Sequence, residues 1–143
     1  MLLRSPDLEL GKAMTEHANA ELFRRSYAAF QAGDLDTVRS LLADDVIWHN
    51  PGSNHLSGDY RGVDAAMGLF VKFSEDSGGT FKVDVHDILA NDTHGVALIT
   101  ASGSKGGKTM NSRGTHVVHI TGGKLTESWA FDEDQREVDE FWG

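Results

Sequence analysis

Residues 27–52 read YAAFQAGDLDTVRSLLADDVIWHNPG, a stretch in which helical periodicity stops, restarts and gives way to a strand. Gly33 stands where a helix ends, as the residue just past its last turn, and Asp34 follows as an N-cap for the next. Leu35, Val38, Leu41 and Leu42 recur at helical spacing, which predicts that they form the buried stripe of that second helix. Asp44 and Asp45 then lead into a short predicted strand, Val46–Asn50, closed by Pro51-Gly52. Upstream, residues 15–32 form an amphipathic pattern. Phe23, Tyr27 and Phe30 recur at i, i+4 and i+7, with Glu21, Arg24 and Arg25 on the other side. Downstream, Val63, Met67, Phe70 and Phe73 predict a third helix over 63–75.

From Thr80 the pattern changes to strands. TFKVDVHDILA (80–90), HGVALITASG (94–103), TMNSRGTHVVHI (109–120) and KLTESWAFD (124–132) are joined by short Asn- and Gly-rich connections. That spacing predicts an antiparallel meander. The chain closes with a short helix in which Asp134 caps, Glu137 takes the capping-box position, and Val138, Phe141 and Trp142 form the apolar side.

The chain has 143 residues, enough for a single domain with a real core. Thirteen basic against 22 acidic residues give a net charge of −9, which disfavours nucleic acid and anionic membrane as partners. No apolar run approaches the roughly 20 residues of a membrane-spanning helix. Cysteine is absent, so disulfides, cysteine-zinc sites and thiol chemistry are excluded. Asp7 and Glu9 occupy the place of a signal peptide's apolar centre. Residues 1–14 are expected to form a flexible tail, residues 15–143 a single domain, and the location to be cytoplasmic.

The quoted stretch, GDYRG (58–62) and a meander ending in GKLTESW together resemble the SnoaL-like branch of the nuclear transport factor 2-like superfamily, over residues 15–142. That resemblance implies an α+β fold: a cone-shaped, curved antiparallel sheet wrapped around three N-terminal helices, with a short C-terminal helix. The superfamily, also called cystatin-like, includes ketosteroid isomerase, scytalone dehydratase, limonene-epoxide hydrolase and polyketide cyclases, alongside binding proteins without activity. It also implies a pocket open at one end and chemistry without a cofactor. Set against ketosteroid isomerase, Tyr27 takes the place of the oxyanion-binding tyrosine, and His116 that of its protonated aspartate. Asn50 stands where that enzyme has its base. An amide cannot abstract a proton, so that isomerisation is disfavoured.

The candidate catalytic residues are therefore His116, Asp132 and Tyr27. His116 shares a strand face with Met110, Val118 and Ile120, where desolvation lowers a histidine pKa. Thr126, Ser128, Ala130 and Asp132 share the face of the last strand expected to look inward, with Asp132 at the rim. Leu125, Glu127, Trp129 and Phe131 are expected on the outer face, too apolar to leave in water and therefore a homodimer contact. Candidate ligand-binding residues are Trp48 and Asn50 as wall and polar contact, His55 and Tyr60 at the mouth, and Met67 and Phe70 on the third helix. The expected partner is a small apolar or aromatic molecule bearing oxygen. A cofactor-free isomerase, cyclase or dehydratase and a non-catalytic binding or dimeric interaction module both fit.

Other motifs are decoys. GSKGGKT (103–109) is one residue short of a P-loop and joins two strands. His116 and His119 form an i, i+3 pair on a strand, hence on opposite faces, and no metal site is expected.

Overall fold

A computed structural model describes residues 16–143. The expected tail, residues 1–14, lies outside the described residues, as does the first residue of the expected domain. Helix α1 covers Ala18–Gln31 and α2 Leu35–Ser40. Strand β1 covers Leu42–Asn50 and β2 Gly58–Arg61. Helix α3 follows at Val63–Asp76, then β3 (Lys82–Ala90), β4 (His94–Lys105), β5 (Lys108–Thr121), β6 (Lys124–Asp132) and α4 (Gln135–Trp142).

The hinge between α1 and α2 follows from its residues. Gly33 takes φ +72, a left-handed conformation that only glycine adopts without strain, and the N–H of Asp34 reaches back to the carbonyl of Ala29. The Asp34 carboxylate then accepts from the Thr37 N–H and opens α2. Leu35 does not join the buried stripe: it is exposed, while Val38, Leu41 and Leu42 are buried. Of these three buried residues only Val38 lies within α2: Leu41 is its C-cap and Leu42 opens β1, so the buried stripe expected of the helix runs on into the strand after it.

The strands form one curved, open sheet in the order β2-β1-β6-β5-β4-β3. The β3–β6 meander is antiparallel throughout, and Gly106-Gly107 close the β4–β5 hairpin with φ +56 and +83. β1, however, lies parallel to β6, so the sheet is mixed. β1 is also longer than its apolar core suggests: it begins at Leu42, opposite Leu125 of β6, and the register shifts before Ile47 pairs with Glu127, so Asp44 and Asp45 fall in the irregular stretch between the two pairings. β2 is an edge strand whose four residues, GDYR, carry no apolar alternation. It is held by β1, Trp48 opposite Tyr60.

Leu125 also departs from expectation. A bulge shifts the β5–β6 register between the pairs His119–Glu127 and Ile120–Leu125, so Leu125 turns inward and is only 1% exposed. Beyond the bulge the inward face is Ser128, Ala130 and Asp132, and the outward face is Glu127, Trp129 and Phe131.

The core fills the concave side of the sheet. Phe23 of α1 is fully buried there with Val46, Leu69, Val118 and Phe141. Gly95, on the inner face of β4, makes this approach possible. A Cβ at that position would lie 2.9 Å from the Phe23 ring and 3.1 Å from Val118. Gly95→Val should therefore cost about 1–3 kcal/mol through overpacking. Urea unfolding would register this as a lower midpoint with an unchanged slope.

Candidate functional site

Between α1, α3, α4 and the concave sheet face lies a cavity of about 140 Å³. Tyr27 of α1, Trp48 and Asn50 of β1, Phe70 of α3, His116 of β5 and Asp132 of β6 all line it. Most of the remaining lining is apolar, including Phe30, Met110 and Ala130, with Val138 and Trp142 contributed by α4; Ser26 and Asn54 are its other polar members.

His116 sits at the deep end, surrounded by the rings of Phe23, Trp48 and Tyr27 at centroid distances of 5.0, 5.1 and 5.6 Å. Burial in this aromatic box drives its pKa down to about 3, so the imidazole is neutral at physiological pH. Both nitrogens are engaged. Nδ1 meets the Tyr27 hydroxyl, and Nε2 lies 2.6 Å from Oγ of Ser128. Burial likewise pushes the Tyr27 phenol above its ordinary range, so it stays protonated. The polar chain Tyr27–His116–Ser128 thus links α1 to two adjacent strands. Ser128 drew no attention in the sequence. Its one signal was its place on the inward face of β6, and its neighbour across the strands is Val118 rather than His116.

Asp132 is the other titratable group of the cavity. Its carboxyl makes no side-chain hydrogen bond among the described residues. Burial, reinforced by the charge of Asp139, raises its pKa. Gly114 faces it across the sheet, and a Cβ there would lie 3.2 Å from Oδ1, so glycine leaves room for the carboxyl. Three residues of β6 lie between Ser128 and Asp132, a span of roughly 13 Å along the strand.

The loop after β1 frames the mouth. The Leu56 carbonyl accepts from Asn50 Nδ2 at 2.9 Å and from the Tyr60 hydroxyl at 2.8 Å. Asn50 thus lines the cavity while an amide N–H of its side chain is bonded to the loop. Tyr60 packs against the core and does not reach the cavity; Met67, 7% exposed, is likewise core. His55 is turned away from the cavity, with Nε2 2.8 Å from the Asp76 carboxylate and Nδ1 3.3 Å from the Gly143 carbonyl. Asn54 takes the lining position instead. It donates to Asp139 at 2.7 Å, and the Ser53 N–H donates to the same carboxylate. Burial alone would raise the Asp139 pKa, but these bonds, with one from Gln135, hold it below the ordinary range. Asp139 thus ties the loop to α4.

His49 lies on the outer face, 2.7 Å from Asp59 and 2.6 Å from Glu127, and stacks on Trp129. The hydrogen bond to Glu127, then that to Asp59, outweighs partial burial and raises its pKa. Arg113 is also outside, bonded to Glu133 at 3.0 Å. Among the described residues no group of three or more histidine, aspartate or glutamate side chains has a metal-holding arrangement.

The SnoaL-like domain model matches residues 23–128. The chain belongs to the SnoaL-like family. An uncharacterised protein of Mycobacterium tuberculosis is 33% identical over 130 residues, covering 90% of this chain and 99% of that protein. Bal32a, from a soil-derived mobile gene cassette, is 30% identical and superposes with a TM-score of 0.87, over 90% of this chain and 98% of its own. A Xanthomonas campestris protein of unknown function with a cystatin-like fold is 33% identical, with a TM-score of 0.82 over 86% and 96% of the two chains. The fold is that of the nuclear transport factor 2-like superfamily. In this SnoaL-like chain no described helix is long and apolar enough to cross a membrane.

Neutral burial of His116 has a sign that can be measured. The unfolded chain takes up a proton below about 6.5 that the folded chain refuses until about 3. The His116 contribution is therefore complete above pH 6.5 and is lost as pH falls through that window. His49, shifted upward, contributes with the opposite sign. Comparing wild type with His116→Asn cancels His49 and the carboxylates. The gap between their urea midpoints should narrow between pH 7 and pH 4.

Proposed function

We propose that this SnoaL-like protein binds a small, mostly apolar molecule carrying a carbonyl oxygen, and exchanges a proton with it through Asp132. The observation that carries the reading is the placement of two polar poles in one apolar cavity. Tyr27 presents a protonated hydroxyl at the deep end. Asp132, raised in pKa and without a side-chain partner among the described residues, stands toward α4. An apolar cavity with a few convergent polar groups is the usual form of a small-molecule site. Its volume is close to that of the roughly 150 Å³ cavity that takes up benzene, which suits a one-ring ligand.

The division of labour follows from the hydrogen bonds. His116 has no free nitrogen to offer a ligand, so it acts by holding Tyr27. Asp132 is the base, and its raised pKa makes its carboxylate a stronger one. In the proton exchange the carboxylate takes a hydrogen from the carbon beside the carbonyl. The electron pair of that C–H bond moves into the enolate, and Tyr27 donates to the oxygen that gains the charge. Trp48, Phe70 and Asn50 shape the pocket around the ring. No cofactor enters the scheme.

Acetophenone and ethylbenzene are matched probes. The ketone should bind more tightly by calorimetry, and Tyr27→Phe should erase the difference. In D2O the protein should accelerate deuterium exchange into the acetophenone methyl group, and Asp132→Asn should abolish the acceleration while binding persists. Binding without exchange in the wild type would favour the non-catalytic alternative. Failure of both probes to bind would remove the reading.

A homodimer is the second part of the proposal. Leu98, Thr115 and Phe131 form one row across the outer face of the sheet, and Leu89, Val96, Val117 and Trp129 form the next. Phe131 is 60% exposed and Leu89 56%. So contiguous an apolar surface suits a second copy of the chain, in a cytoplasmic setting. Sedimentation at micromolar concentration should give a dimer and Phe131→Glu a monomer; a wild-type monomer would refute it.

A further inference from the structure

We propose that Ser128 is a positioning residue that fixes the tautomer of His116 and thereby aims the Tyr27 hydroxyl proton at the ligand oxygen. The inference rests on the ligand reading above, but its first test does not.

The direction of the chain is settled by counting donors and acceptors. Ser128 is 1% exposed, and its hydroxyl has one partner among the described residues, Nε2 of His116 at 2.6 Å. A neutral imidazole has one nitrogen that donates and one that accepts. With the proton on Nε2, His116 would donate to Ser128, and the serine O–H would be left buried with no acceptor. Buried donors without acceptors are rare because nothing replaces the lost hydration. With the proton on Nδ1, both ring nitrogens and Ser128 are satisfied, and the one O–H left over is that of Tyr27, which lines the cavity as Ser128 does not. Ser128 O–H donates to Nε2, and Nδ1–H donates to the Tyr27 oxygen. The Tyr27 proton then has no protein acceptor among the described residues and turns into the cavity that Tyr27 lines.

Two consequences follow for specificity. A hydroxyl that already accepts a hydrogen bond is a stronger donor, because bonds in a chain polarise one another. The Tyr27 end of the cavity also becomes a one-way contact. It rewards a carbonyl or enolate oxygen, which only accepts. A ligand whose matching group can only donate, such as an N–H, meets a proton and is rejected.

The test is a long-range proton–nitrogen NMR spectrum of the wild-type protein near pH 7. His116 is assigned among the seven histidines by its loss in His116→Asn. The expected spectrum has a protonated Nδ1 and an unprotonated Nε2. The reverse tautomer, or a doubly protonated ring, overturns the proposal. In Ser128→Ala the Nδ1–H form loses its hydrogen bond at Nε2, so the Nε2–H population should rise, and an unchanged population there overturns the role of Ser128. The preference for acetophenone over ethylbenzene should also fall roughly two- to tenfold, as expected for one ordinary hydrogen bond. An unchanged preference overturns the specificity claim. If Ser128→Ala does not fold, the wild-type tautomer still decides. An Nδ1–H ring in a protein that binds neither probe would leave the relay standing and remove the ligand reading alone.

Discussion

An imidazole enclosed by three aromatic rings is tolerable only when both of its nitrogens are hydrogen-bonded, and much of the fold serves that condition. One partner, Tyr27, must come from α1, the other, Ser128, from β6, with His116 between them on β5. α1 therefore has to lie across the concave face of the sheet. It is held there by Phe23 over Gly95 and at its start by His17 and Asn19, which bond to the turn at Asn91-Asp92. The polar chain adds direction to this packing. Apolar contacts would tolerate small rotations of α1, whereas a hydroxyl bonded to Nδ1 fixes the azimuth of one helical residue.

The bulge in β6 belongs to the same constraint. Leu125 and Ser128 are three apart, so in an unbroken strand one of them would face out. The extra residue at Thr126 lets Leu125 bury under α2 and β1 while Ser128 still points at His116. A bulge of this kind is invisible to strict alternation, which is why the outer face was expected to include Leu125. The same limit explains β1 and β2. Parallel pairing of β1 with β6 joins segments far apart in sequence, and β2 is held by backbone bonds to β1 that need no apolar pattern. What could be read was local: the Gly33-Asp34 hinge, the four-strand meander, the Asp134 cap, and the inward face of Trp48, Asn50 and His116. The positions of His55 and Tyr60 could not be read, because loop side chains are placed by partners such as Asp76 and the Leu56 carbonyl that no spacing rule links to them.

The cavity ends differ in stiffness for related reasons. At the deep end the polar groups stand on a helix and two central strands. At the mouth, Asn54 and Pro51 belong to a loop whose hold on α4 passes through one carboxylate. Asp139 accepts from Ser53, Asn54 and Gln135, and Gly52 is compressed against it so closely that a Cβ would lie 2.1 Å from Oδ1. Two lysines reinforce the same helix from the other side: Lys105 and Lys108 donate to the Trp142 and Glu140 carbonyls at its C-terminal end, where the helix dipole favours cations. The cavity wall made by Val138 and Trp142 is thus held by polar bonds at its edge and by aromatic packing of Trp142 on Phe73 and Phe81.

Asp132, Glu133 and Asp134 show how the same charge takes three roles in three consecutive positions. Strand alternation sends Asp132 inward beside Gly114. The next residue then points outward, where Arg113 bonds it and holds its carboxyl below the ordinary range. Asp134 has left the strand and accepts from the Glu137 N–H to open α4. Because Asp134 supplies that cap, the helix makes no demand on Asp132. Because Arg113 is committed to Glu133 outside, no cation among the described residues neutralises Asp132 within the cavity. A carboxyl relieved of capping, without a side-chain partner among the described residues and partly desolvated, is the arrangement that raises a carboxyl pKa. Asp132 differs from its two neighbours in environment, and that difference was set by the last residue of one strand and the first turn of the next helix.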